Sequence, residues 1–409
     1  MAICPINRLV RLALVIAAFL VGVTIAVAQS HDFDAMSAEH LVQLGQRYLN
    51  PGAEQDLERA IEMFHAALAV ELDHVPALVG LSDAHRMQSP WDRGDRSGLD
   101  LAIAFGTKAI YLSPDDADTH KALARAYLFK RWYRQALHHF QRLQELRPDA
   151  DAAWRLGWMG IEMGDYVAAW EWFERSYTLD PTNTWIPLYI GVTERTIGNH
   201  ERAEKMFRRG LEDHPDYRYL IFNIVLSMVQ RGAGDEAVEY GRSLVQRDPE
   251  NIDHLLAAGL ANWYTRRDSA AVTLFERAMQ KADGEDPTIG WWMTYTSTAL
   301  GDLYTRKGRY DEAEAMLDRS EAAFLDRNRE AGEGWGYMYD LARVYTARGD
   351  LQGALEWLRK AVRFGFPEVY LAKADPMIAP LGENPEFHRL LTEVEERILE
   401  MRASVDKLR

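Results

Sequence analysis

The chain has 409 residues, 62 acidic against 47 basic, and a formal charge of −15; that field repels phosphate backbones, so nucleic acid is not an expected partner. One cysteine, Cys4, precedes an apolar run, which leaves the body of the chain with no disulfide, no thiol nucleophile and no thiolate metal site. Stability has to come from packing alone, which suits a large or repetitive core.

In chain order, the first element is a leader. Arg8 and Arg11 stand before an apolar run from Leu12 to Ile25, and Ala26-Val27-Ala28 has the small-x-small pattern of a signal-peptidase site. The expectation is a signal peptide, residues 1–28, cleaved after Ala28. The alternative is an uncleaved anchor touching the membrane through residues 8–28. Either places the body outside the cytoplasm, in the periplasm or facing it from the inner membrane. The first thirty residues hold two arginines and no acid, so the remainder carries −17.

From there the chain repeats itself. Pro114, Pro148, Pro181, Pro215 and Pro249 are spaced 34, 33, 34 and 34 residues, and Ala136, Ala169, Ala203, Ala237 and Ala271 keep the same beat. Phe140, Phe173, Phe207 and Phe275 follow four residues after their alanines, with Gly241 as the exception. Gly164, Gly198, Gly232, Gly308 and Gly349 each close a helical stretch, where a left-handed cap is expected. Each unit therefore reads as two amphipathic helices, a glycine turn between them and a proline stop. One such pair cannot bury its apolar faces alone, but a stack can.

LGWMGIEMGDYVAAWEWFERSYTLDP, IGVTERTIGNHERAEKMFRRGLEDHP and LGDLYTRKGRYDEAEAML resemble tetratricopeptide repeats. The resemblance implies an all-α, right-handed α-solenoid of about nine helix pairs, an array over residues 29–365, and a C-terminal helical cap over 366–409. The cap is expected to cover the last open helix face. Segments that break the beat are MQSPWDRGDRSG, with Arg93-Gly94-Asp95 read as a chance match, and KADGEDPTIGWW and FLDRNREAGEGWG, where longer helices or loops are expected.

In such repeats the first helix of each pair lines a concave surface. The resemblance then puts Lys121, Arg125, Trp185, Arg195, Tyr219, Phe222, Trp263, Tyr264, Tyr295, Tyr339 and Arg343 at groove-facing positions. Counting back from Pro181 adds Trp154 and Trp158, whereas counting forward from Pro148 buries both. Trp170 and Trp172 fall on a second helix, as packing or as a convex patch.

Aromatic rings with scattered arginines suit a protein or peptide partner, with guanidinium groups taking carboxylates. Polysaccharide stacking on exposed rings is the alternative. The carboxylate clamp of chaperone-tail-binding relatives is not expected, because Arg125 and Trp185 stand where it needs other side chains.

No GxxxxGK[ST], HExxH, GxSxG or CxxC occurs. His138 and His139 are neighbours on one helix and point about 100° apart, too far to chelate together. HDFD, residues 31–34, stands at the expected mature N-terminus. The reading is a non-catalytic scaffold of the bacterial envelope, without cofactor or metal. The alternatives are an accessory of polysaccharide synthesis or export, and a membrane-anchored assembly factor.

Overall fold

The computed structural model describes residues 36–49, 56–88, 97–282, 290–331 and 335–409. The leader, HDFD, Arg93-Gly94-Asp95, residues 283–289 and Gly332–Gly334 lie outside the described residues. Among those described, all regular structure is helical, and no helix is long and apolar enough to cross a membrane.

The helices come in consecutive antiparallel-type pairs, each pair being one repeat. The first three are α1 (Ala38–Leu49) with α2 (Leu57–Val70), α3 (Val75–Met87) with α4 (Ser97–Leu112), and α5 (Ala117–Phe129) with α6 (Tyr133–Leu146). Next come α7 (Ala150–Glu162) with α8 (Tyr166–Leu179), α9 (Ile186–Thr196) with α10 (His200–Asp213), and α11 (Arg218–Gln230) with α12 (Gly234–Arg247). The last are α13 (Ile252–Tyr264) with α14 (Asp268–Lys281), α15 (Gly290–Arg306) with α16 (Tyr310–Ala331), and α17 (Trp335–Ala347) with α18 (Leu351–Arg363). That is nine pairs among the described residues. The stretched spacing near the end is taken up by helix length, 17 residues in α15 and 22 in α16. Two compact units divide the chain, residues 1–159 and 160–409.

Local chemistry explains the boundaries. Asp56, Asp116, Asp165, Asn251 and Asp350 cap helix N-termini by accepting backbone N–H bonds. All five expected cap glycines have φ between +74° and +89°. The turn they make carries a six-to-one bond, as in Asn199 N–H to the Glu194 carbonyl at 2.8 Å. Two repeats make the same turn without glycine: Arg131 and Arg266 sit at φ +62° and +60°. A side chain there costs about 1–2 kcal/mol, part of which glycine returns through its looser unfolded chain. Arg266→Gly is therefore expected to raise stability by about 0.5–1 kcal/mol, read as a higher urea midpoint at unchanged m-value.

Phenylalanine packs against glycine both between pairs and within them. A Cβ at Gly80 would come within 2.4 Å of the Phe64 ring, and one at Gly191 within 2.4 Å of Phe207. Where the phenylalanine is missing, a Cβ at Gly241 would come within 2.7 Å of the Ala258 Cα, so only glycine fits against that backbone. The neighbouring backbone fills that layer without a ring.

After α18 the chain turns at Gly365, φ +92°, and runs through α19 (Val369–Ala374), a short 3-10 turn (Ala379–Glu383) and α20 (Pro385–Leu408). Phe366, Val369, Ile378, Leu381, Phe387 and Leu391 pack with Tyr339, Leu355 and Leu358 of the last pair. The segment also reaches much further back, to α8, α9 and α11.

Candidate partner-binding faces

In residues 160–409 the face formed by the first helices of the pairs is occupied around Arg195 and Arg343. Arg195, 6% exposed on α9, grips the Glu368 carboxylate with both terminal nitrogens at 2.8 Å. Its Nε donates to Asn223 Oδ1 at 3.1 Å, and the Thr196 hydroxyl donates to Glu368 Oε1 at 3.2 Å. At the other end Arg343 on α17 is 1% exposed, with Nη1 3.0 Å from Asp340 and Nε 2.9 Å from Asp375. The Tyr339 hydroxyl and the Met377 N–H each donate to Asp375 at 2.9 Å. The Arg343 guanidinium lies over the Tyr295 and Trp263 rings, 4.5 and 5.2 Å from their centroids. Trp263 Nε1–H donates to Asp302 at 2.8 Å, and the Tyr264 and Tyr295 hydroxyls are 3.1 Å apart.

The groove positions expected from the repeat register thus divide. Phe222 is 1% exposed and belongs to the core rather than an open face. Trp263, Tyr264 and Tyr339 are buried, Tyr295 is half-buried, and Arg195 and Arg343 are paired within the chain. The physical reason is that periodicity tells which side of a helix faces inward, not that residues 366–378 fold back over that side. Trp185 and Tyr219 are exposed, at 42% and 40%. Trp185 stacks on His214 at 4.0 Å and meets the edge of Tyr217 at 4.7 Å. Trp170 packs, with Nε1–H donating to Glu194 at 2.9 Å, and Trp172 is half-buried. Sequence reasoning missed Glu368, Asp375 and Glu194. For Glu368 and Asp375, isolated acids inside the apolar run FPEVYLAKADPMI were the available signal.

Among the described residues up to 159 the corresponding face is open. A concavity of about 480 Å³ is lined by Gln46, Val79, Asp83, Asp118, Lys121 and Arg125, among others. Lys121 meets Asp149 at 2.6 Å and Arg125 meets Asp151 at 2.8 Å. Burial pushes the Asp151 carboxyl up, but Arg155 and Arg125 outweigh it and hold it at about 2. Trp154 and Trp158 are half-buried, Trp154 near the Arg155 guanidinium and Trp158 edge-on to Tyr133 at 6.1 Å. The two registers read from the sequence are thereby averaged rather than decided.

The neighbours His138 and His139 differ in environment. Only His138 is exposed; His139 is half-buried, its Nδ1 3.0 Å from His120 Nδ1. His120 Nε2–H donates to the Pro114 carbonyl at 2.9 Å, so its Nδ1 accepts and His139 Nδ1–H donates. Burial, then the charges of His120 and His138, lowers His139 to about 4. Burial, then His85, does the same for His65, and burial, then Arg195, for His200. Each folded value lies below the unfolded one of about 6.5, so these groups support the fold above pH 6.5 and that support is lost as pH falls through 4. His139→Gln is expected to lower the slope of stability against pH in this window by up to one proton, measured by urea unfolding at stepped pH. An unchanged slope would show that the His120–His139 contact does not hold in solution.

Among the described residues, no group of three or more His, Cys, Asp or Glu side chains could hold a metal ion.

Residues 121–184, 190–252 and 293–364 match the tetratricopeptide repeat family. The TPR repeat-containing protein YpiA of Bacillus subtilis is 20% identical over 246 residues, 60% of this chain and 54% of that protein. The BBSome complex member BBS4 of Bos taurus is 23% identical over 256 residues, 62% of this chain and 46% of that protein. The chain thus spans about half the length of these curated relatives. Among solved structures, YrrB, described as a TPR protein with an unusual peptide-binding site, is 17% identical and covers 48% of this chain and 97% of its own, at a TM-score of 0.42. PilF of Pseudomonas aeruginosa is 17% identical and covers 53% and 94%, at 0.44. Nine helix pairs of one repeating design, with family matches on the three stretches of them given above, show that the chain belongs to the tetratricopeptide repeat family.

Proposed function

We propose that this protein is a non-catalytic scaffold of the bacterial cell envelope that holds a protein or peptide partner on the open face of residues 36–159. Tetratricopeptide repeat proteins are in general protein-interaction scaffolds. The observation that carries the reading is the concavity lined by α1, α3 and α5, whose charged walls are preformed by ion pairs. A partner there meets side chains that are already ordered, which lowers the entropic cost of binding. The leader supports an exported location, with cleavage after Ala28 or retention as an inner-membrane anchor.

The test is affinity capture from envelope extract with residues 29–409 as bait, beside a Val79→Lys, Lys121→Ala, Arg125→Ala bait. The expected result is a partner retained by the first and reduced at least tenfold by the second, at matched helicity. Equal capture by both would move the site off this face. Capture of polysaccharide and no protein would favour the glycan alternative, with Trp185 and Tyr219 as the rings to stack on. The mass of the N-terminal peptide separates a cleaved leader from an anchor.

A further inference from the structure

We propose that the Arg195 face of residues 160–409 is a second peptide site, selective for a partner segment with a glutamate followed two residues on by an aromatic, and that the chain's own Glu368 and Tyr370 hold it shut. This goes beyond the open face of residues 36–159 and does not depend on it.

The site is built for one carboxylate. Arg195 presents a two-pronged grip, Thr196 adds a hydroxyl donor, and Asn223 fixes the guanidinium from the side. Such bidentate pairing sets register as well as attraction. The aromatic position is equally specific. The Tyr370 ring rests on the turn at Gly198, where a Cβ would come within 2.6 Å of it, and meets His200 edge-on at 5.0 Å.

What makes this a ligand rather than only a piece of core is how its contacts are divided. The apolar anchors Phe366, Val369, Ile378 and Leu381 pack with the last helix pair and α20. Across the seam to α8, α9, α10 and α11 the polar contacts are Glu368 on Arg195, Tyr370 on His200 and Arg409 on Glu194. The apolar part is Val405 and Met401 on Trp170 and Ile197, with Met377, Leu371 and Ala374 on the central core. Parting that seam would wet Arg195 rather than strand it in apolar surroundings; Phe366, Val369, Ile378 and Leu381 would keep the segment's own core, and the apolar cost falls on Met377 and its neighbours. An acidic partner segment would then compete with Glu368 for the same grip.

The test uses the full-length protein. In native-state hydrogen exchange at rising urea, α19 and α20 are expected to open at lower urea than α9 to α14. Glu368→Gln should speed their exchange at least tenfold, leave α9 to α14 unchanged, and let a labelled peptide of sequence Phe366–Ile378 bind at least tenfold more tightly than to wild type. Adding Arg195→Gln should abolish that binding. Wild-type exchange of the segment and α9 to α14 in one common step would overturn the proposal, whether or not the variant folds. So would a peptide that binds neither form, or one that still binds without Arg195.

Discussion

Asp375→Ala is expected to destabilise residues 160–409 by about 3–5 kcal/mol, because it strands a buried guanidinium. Asp375 has no exposed side-chain surface, and Arg343 opposite it has 1%. The carboxylate also accepts from the Tyr339 hydroxyl and the Met377 N–H, so the substitution leaves two further donors unsatisfied. Asp340 remains, but it takes only one end of the guanidinium, at 3.0 Å. The informative comparison is the double variant Arg343→Met, Asp375→Ala. Removing both charges recovers the part of the loss due to the stranded guanidinium, while the Tyr339 and Met377 donors stay unmatched, so the double variant is more stable than the single one but less stable than wild type. Urea unfolding followed by tryptophan fluorescence measures both. A single variant as stable as wild type would mean that Arg343 reaches water by another route, and the described packing would be wrong.

The second large effect separates two tryptophans that the repeat register treats alike. Trp263→Ala should cost about 3–5 kcal/mol, the range for truncating a large buried ring. Trp263 is fully buried, its indole N–H is bonded to Asp302, and Arg343 lies over its face. Trp185→Ala should cost under about 1 kcal/mol, because its ring is 42% exposed and its contacts are the neighbouring His214 and Tyr217. Thermal melts of the two variants decide it. Equal losses would put both rings in one environment, against the structure.

The fold was legible in this sequence for a simple physical reason. Each repeat needs the same turn and the same layer, so Gly164, Gly198, Gly232, Gly308 and Gly349 and the phased alanines and phenylalanines report local requirements repeated at a fixed interval. Where one device is exchanged for another the signal fades, as at Arg131 and Arg266 in the turns and Gly241 in the layers. The candidate site was legible only in part. Lys121 and Arg125 line the concavity, where only neighbouring repeats, in the same register, set their surroundings. Phe222, Trp263, Tyr264 and Tyr339 were misplaced because their surroundings depend on non-adjacent helices or on a segment far away in sequence, and no period encodes such a meeting. The His120–His139 pair escaped for the same reason at shorter range: one ring comes from α5 and the other from α6.

The returning segment also has a consequence for how the chain is made. Contacts between adjacent helix pairs can form as soon as each pair emerges, and folding dominated by such neighbours is fast. The Arg195–Glu368 and Glu194–Arg409 contacts join residues 173 and 215 positions apart. They cannot form until translation has passed them, and the long loop adds an entropic cost to closure. A ribosome-bound chain that has reached only α18 therefore shows Arg195, Tyr166 and Trp170 without their cover. That intermediate is the stage at which a chaperone would find apolar surface to hold, and at which stalled synthesis would leave the chain prone to aggregate.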